Sequence, residues 1–315
     1  MGIKVPEELQ FMINDRAKQQ RTDARSDGKL CIITGTTSGV GKAAAFRFAQ
    51  GGSNLVMVCR NRLKAEKVKE EIARLYPVSI DIIIADFSDL ESVRNAATLI
   101  LSTYPRIDIL IHNIGSFLNK QHYTEDGLET IFCVNHLSSF LLNSLLLDRM
   151  RDSEPSRIIY VNSEGHRFSR VAIDDLSWKK RRYSGLKSYG AAKTAQLLTI
   201  WEFADMLKGT ATTINAMHPG AVHSDVGKEN GRLYNWYTTH ILKHFLKDPT
   251  ISAEALYFLA FDSSMEGVSG RFYNQTIQET PAKHAMDRKF GKQVFTISSK
   301  LAGIPVSPKE RPHEV

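Results

Sequence analysis

Four residues in the middle of the chain could together move a proton: Asn135, Ser163, Tyr189 and Lys193. Tyr189 and Lys193 are four apart in Tyr189-Gly190-Ala191-Ala192-Lys193. That is one helical turn, so a phenol and an ammonium share a face. A phenol is a poor base near neutrality because its ordinary pKa is about 10. Lowering it by about three units takes roughly 4 kcal/mol. One positive charge at about 4 Å supplies that much at an effective dielectric of about 20. The pair therefore suits acid–base work on an oxygen, although most pairs of this spacing are surface ones. Ser163 follows the apolar run Arg157 to Val161, at a strand's carboxyl end, where open α/β sheets bind ligands. Its hydroxyl can hold a substrate oxygen or cap a turn. Asn135 starts a long apolar-striped helix, where its amide can brace a water or cap the helix.

A second constellation suits phosphate. Thr34-Gly35-Thr36-Thr37-Ser38-Gly39-Val40-Gly41 ends an apolar run and opens a helix-like stretch. Gly35, Gly39 and Gly41 let the backbone turn and approach an anion closely. The N–H groups and positive end of the following helix, starting near Ser38 and Val40, then face it. In this position the loop predicts a dinucleotide site. The next apolar run ends without an acid that would accept a ribose 2′-hydroxyl; it leads into Cys59-Arg60-Asn61-Arg62-Leu63-Lys64. Arg60 can fork onto a 2′-phosphate, with added charge from Lys64, or less readily Arg62. The residues thus favour NADP(H) over NAD(H).

These groups need a frame. Short apolar runs at 29–34, 54–59, 79–84, 107–111, 157–161, 212–217 and 270–273 alternate with amphipathic or apolar-striped stretches. The alternation predicts a single doubly wound α/β domain of Rossmann type, with a parallel sheet of about seven strands and helices on both faces. Residues 1–28 read as a polar tail, 29–275 as the catalytic domain, and 276–315 as a C-terminal extension with one helix.

The chain has 315 residues, formal net charge +7, 42% hydrophobic and 24% charged residues. That balance excludes disorder, collagen and a multi-pass membrane protein. Three cysteines beside apolar runs, Cys31, Cys59 and Cys133, suggest buried reduced thiols. The start has no signal-peptide core, and no run reaches roughly 18 apolar residues, so a cytosolic protein is expected. The basic run Lys179-Lys180-Arg181-Arg182 raises a nucleic-acid reading, but a solvated loop is the plainer one and no nucleic-acid partner is expected. His240 and His244 are four apart, yet no third ligand is at useful spacing, so no metal is expected.

In these motifs and their order, the chain resembles the short-chain dehydrogenase/reductase family over about residues 29–275. Thr34 to Gly41 matches the family's glycine loop, and Asn135, Ser163, Tyr189 and Lys193 match its catalytic four. The resemblance places Asp86 and Phe87 on the adenine side. It places Asn113 in a His112-Asn113-Ile114-Gly115 motif, where Asn and Ala are usual at the first and third positions. It places Pro219, Val222 and Ser224 at the nicotinamide end, where the last is usually Thr. Ala192 stands where serine is frequent. Cys59-Arg60-Asn61, the stretch from Asn135 and Gly267-Val268-Ser269-Gly270 are similar to the retinol-dehydrogenase-like branch, which tends to use NADP(H).

The resemblance implies hydride transfer between a nicotinamide and a carbonyl or alcohol carbon. Tyr189 would exchange the proton, Ser163 would hold the oxygen, Lys193 would lower the phenol pKa and hold the ribose, and Asn135 would place a water. Segment 223–248 would be an aromatic lid suited to an apolar carbonyl or alcohol such as a retinoid, steroid, lipid aldehyde or aromatic, unless it packs on the core. Peripheral membrane contact is a weaker reading of it. A homodimer through the helices beginning near Asn135 and Ser188 is also implied. The rival function is a catalytically weak NADP(H)-binding sensor or scaffold on the same fold.

Overall fold

In the computed structural model, which describes residue 14, residues 17–220 and residues 248–305, the apolar runs become strands. These are β1 (Leu30–Thr34), β2 (Asn54–Cys59), β3 (Ile80–Ile84), β4 (Ile109–His112), β5 (Arg157–Val161), β6 (Thr213–His218), β7 (Phe272–Asn274) and β8 (Ile277–Glu279). The helices between and after them are α1 (Gly39–Gly51), α2 (Arg62–Ala73), α3 (Leu90–Thr103), α4 (Ser138–Asp152), α5 (Gly185–Met206), α6 (Pro249–Phe261) and α7 (Arg288–Leu301). The sheet order is β3-β2-β1-β4-β5-β6-β7-β8. All pairs are parallel except β7 with β8. Chain order reverses between β1 and β4, which opens a crevice at the carboxyl edge there.

Ile32 joins the core layer under α3, α4 and α5, while Cys31 and Ile33 join the layer under α1, α2 and α6. Both faces of β1 are therefore apolar, as a central parallel strand requires. The three cysteines are free and buried. The Rossmann-type fold is as expected, with one strand more than the seven anticipated.

The extra strand is β8. Gln275 turns the chain at φ 54, in the left-handed region, and Asn274 pairs back onto Ile277. The segment after 275 is thus tied to the sheet. The segment before Lys29 reaches the same hairpin: Asn14 Nδ2 donates to Glu279 Oε1 at 2.9 Å, and Thr276 Oγ1 to Gln19 Oε1 at 2.8 Å.

The helix expected to start at Asn135 starts earlier. Glu129 accepts from the N–H groups of Ile131 (3.1 Å) and Phe132 (2.8 Å), so a helical turn begins at Thr130. It runs through a π-helical turn, Cys133–Leu137, into α4. Asn135 therefore lies inside the helix and is not its cap. The whole helix, Thr130–Asp152, is 23 residues and long and apolar enough to cross a membrane by length and composition, with 89% of its most apolar window buried in this fold. The expectation that no such segment exists is corrected. It counted unbroken apolar runs, whereas this helix accommodates Asn135, His136, Ser138, Ser139, Asn143 and Ser144 among its buried residues.

Helix α7 lies on α4 and α5. Phe295 stacks at 5.1 Å on both Phe140 and Phe203, and Ser298 Oγ meets His136 Nε2 at 2.8 Å. Helix α7 thus covers part of α4 and α5, the helices to which the resemblance assigned a dimer contact. The basic run also has local partners. Lys179 and Lys180 N–H groups donate to Asp175 Oδ1, and the Arg181 guanidinium lies 3.7 Å over the Trp178 ring.

Candidate active site

The carboxyl ends of β1, β2, β4, β5 and β6 carry the glycine loop, Arg60, Asn113, Ser163 and Pro219 around one crevice. At its floor, Asn113 Nδ2 donates to the carbonyls of Thr34 (3.0 Å) and Gly35 (3.2 Å). A Cβ on Gly41 would lie 2.1 Å from Gly35 O, so only glycine lets α1 start this close to the loop. Ser38 is the N-cap of α1, but its hydroxyl makes no capping bond, and Val40 is buried against the helix layer. The cradle therefore fits a dinucleotide phosphate at a helix N-terminus. Arg60 is exposed just past β2, and Lys64 is exposed in the first turn of α2, whose cap Asn61 accepts from the Lys64 N–H. The edge of the crevice at β2 thus carries positive charge, as a 2′-phosphate requires.

Two expected adenine-side residues are engaged elsewhere. Asp86 Oδ1 accepts from the N–H (2.8 Å) and hydroxyl (2.7 Å) of Ser88. The Phe87 ring is in the core, and only its carbonyl, which accepts from Ser138 Oγ at 2.6 Å, faces another polar group. An aromatic ring beside Val58 and Leu90 gains more from burial than from a solvated crevice. Pro219 is described, and its carbonyl accepts from Ser252 Oγ at 2.6 Å. Val222, Ser224, His240, His244 and the expected lid at 223–248, apart from Asp248, lie outside the described residues.

The proton-handling residues meet around α5. Ser163 caps the 3-10 turn Glu164–Phe168, its Oγ accepting from Gly165 N at 3.1 Å, and the turn packs beside the Tyr189 ring. Two glycines let this turn press on α5. A Cβ on Gly165 would lie 3.2 Å from the Tyr189 ring, and one on Gly190 would lie 2.6 Å from Gly165 O. Gly190→Ala must therefore push the Ser163 turn away. We expect kcat to fall roughly 10- to 100-fold, with about 1–3 kcal/mol lost from stability, checked by turnover and thermal melting.

Lys193 is 3% exposed; its Nζ donates to Val161 O at 2.8 Å and lies 5.8 Å from the Tyr189 ring centroid. Burial pushes the Lys193 ammonium down to about 7. Burial also pushes the Tyr189 phenol up, and the Ser163 hydroxyl pulls it part of the way back. The expected lowering of the phenol by the ammonium is absent. The amine points at the Val161 carbonyl, and desolvation favours the neutral form of each group.

The Asn135 side chain is held on three sides: Oδ1 accepts from Ser116 N, and Nδ2 donates to the carbonyls of Ser116 and Ile131. Its own carbonyl accepts from Gln196 Nε2 at 3.0 Å. Gln196 Oε1 in turn accepts from Asn162 Nδ2, which also reaches Lys193 O. Asn162, Gln196 and Glu129 were not singled out from the sequence. Gln196 was within reach, since 189, 193 and 196 share a helix face. Glu129 joins the π-turn to the start of α5 by accepting from Ser188 Oγ at 2.9 Å. Among the described residues no cluster of His, Cys, Asp or Glu could hold a metal.

The short chain dehydrogenase family model matches residues 29–234. Human retinol dehydrogenase 13 is 33% identical over 291 residues, covering 90% of this chain and 88% of that one. Mouse retinol dehydrogenase 14 is 33% identical over 297 residues, covering 88% and 86%. A protein of Mycobacterium paratuberculosis superposes with TM-score 0.72 at 25% identity, covering 90% and 97%. A short chain dehydrogenase of Burkholderia cenocepacia, solved with NADP, superposes with TM-score 0.63 at 21% identity, covering 80% and 98%. These relatives, with the apolar helix Thr130–Asp152, overturn the plain cytosolic expectation, which rested on having no such helix. By the family match and the relatives together, the chain belongs to the short-chain dehydrogenase family, and retinol dehydrogenases are among its relatives there.

Proposed function

We propose that the protein is an NADP(H)-dependent oxidoreductase that interconverts a carbonyl and an alcohol on an apolar substrate. The observation that carries this reading is the packing of the Ser163 turn against the Tyr189 ring, one helical turn from buried Lys193, at the sheet edge that also bears the glycine loop. The bound nicotinamide would supply or accept the hydride. Tyr189 gives its proton to the carbonyl oxygen in reduction and takes one from the alcohol in oxidation. Ser163 donates to the same oxygen as charge develops on it. Lys193 holds the ribose hydroxyls, and Asn135 keeps the π-turn in place beside it. A phenol that burial keeps protonated is the form that carbonyl reduction uses.

The apolar substrate is supported by the Phe117 ring edge-on to Tyr189, with centroids 6.0 Å apart, and by the retinol named in the relatives. The NADP(H) preference is supported by Arg60 and Lys64 and by the lack of an acid at the end of β2. Consumption of NADPH and NADH with a panel of retinoid, steroid and aromatic carbonyls tests both. We expect Arg60→Ala to weaken NADPH about 10-fold or more, as for loss of a charged hydrogen bond, and to leave NADH unchanged. Equal affinities for the two nucleotides in the wild type would refute the preference.

A further inference from the structure

The turn that carries Ser163 is clamped from a part of the chain far away in sequence. His166 is fully buried, with its Nδ1 2.8 Å from Ser163 O. Its Nε2 accepts from the backbone N–H of Ala282 at 3.2 Å. An N–H donor aimed at Nε2 leaves that nitrogen its lone pair, so in a neutral imidazole the proton is on Nδ1 and is donated to Ser163 O. Burial keeps the ring neutral, pushing its pKa down to about 3. The His166 carbonyl accepts from His284 Nε2 (2.8 Å) and from Thr194 Oγ1 (3.1 Å), next to Lys193. The ring is packed edge-on against Phe272 of β7. Nothing in the proton-transfer scheme uses this histidine.

We propose that His166 is a positioning residue for Ser163: its Nδ1–H, fixed as the donor by the Ala282 amide, holds the Ser163 carbonyl and so aims the Ser163 hydroxyl at Tyr189. The inference rests on the role of Ser163 proposed above. It makes segment 282–285, which touches none of the proposed catalytic groups, part of the catalytic unit.

Two substitutions separate this from a merely structural role. In His166→Asn, the amide nitrogen takes the place of Nδ1 and keeps the donor to Ser163 O. In His166→Gln, the amide oxygen takes the place of Nε2 and keeps only the bond from Ala282. We expect His166→Asn to stay within about 3-fold of wild-type kcat. We expect His166→Gln to lose about 30-fold in kcat with KM for NADPH unchanged. Equal losses in the two variants, or losses that follow their melting temperatures, would overturn the proposal. A measurement that needs no turnover stands beside them: the ¹⁵N spectrum of the histidine-labelled full chain, with His166 assigned by its loss in His166→Asn. We expect an Nδ1–H tautomer that does not titrate between about pH 6 and 8. An Nε2–H tautomer, or titration in that range, would refute the geometry even if the wild type proved inactive. That inactivity would by itself refute the parent reading and not this one.

Discussion

Tyr189→Phe is expected to lower turnover by roughly 10²- to 10⁴-fold, the range for a lost general acid, while NADPH binds as before. The substitution removes one oxygen and leaves the ring against Phe117 and the Ser163 turn. The loss should therefore appear in kcat, with little change in the Kd for NADPH read by nucleotide fluorescence. The pH dependence has a fixed sign. Burial raises the Tyr189 pKa, so the protonated form persists across neutral pH. Carbonyl reduction should be flat there and decline only as pH rises through the phenol pKa. Alcohol oxidation, which needs the phenolate, should climb with pH. A Phe variant that still reduces the best carbonyl of the panel at near wild-type rate would remove Tyr189 from the mechanism.

Lys193→Met is expected to abolish turnover and to make the fold more stable. The folded-state pKa of about 7 is below the ordinary 10.5 of the unfolded chain. Between those values the unfolded chain binds a proton that the folded one has released. Unfolding then takes up a proton, so stability rises with pH across about 7 to 10.5, and below about 7 the full penalty is present. Methionine has no charge to desolvate. At about 1.4 kcal/mol per unit over the whole shift, less roughly 1 for the lost bond to Val161 O, the variant should gain about 4 kcal/mol at pH 6. The gain should shrink as pH rises towards about 10. Denaturant melts of both proteins at pH 6 and pH 9 check this; a variant less stable at pH 6 would contradict it.

The parallel order, both core layers and the glycine loop were readable because their signals are local: an apolar run, a helical period, a glycine where a strand meets a helix. Helix α3, Leu90–Thr103, buries Leu90, Val93, Ala97 and Ile100 at helical spacing. The misses have non-local or disguised causes. Strand β8 follows a turn made by Gln275 in a left-handed conformation that its side chain does not advertise. The start of the long helix is set by Glu129, a residue of modest capping preference that finds four partners only once Tyr183 and Ser188 fold onto it. In the site, the spacing of Tyr189 and Lys193 was legible. The direction of their pKa shifts was not, because it depends on how much water the surrounding helices exclude. His166 was hidden for the same reason: its donor is Ala282, more than a hundred residues away along the chain.

The clasp between the Ser163 turn and the stretch after β8 bears on how the protein comes into being on the ribosome. A message truncated by a stop codon in place of Gln275 would still encode Asn135, Ser163, Tyr189 and Lys193. Its product would lack the Ala282 amide, the β8 hairpin that buttons onto Asn14 and Gln19, and the helix seated on Phe140 and Phe203. A nascent polypeptide thus stays unfinished as a catalyst until the codons for the segment from Ala282 to Leu301 are translated, and nonsense or frameshift alleles ahead of them should behave as nulls.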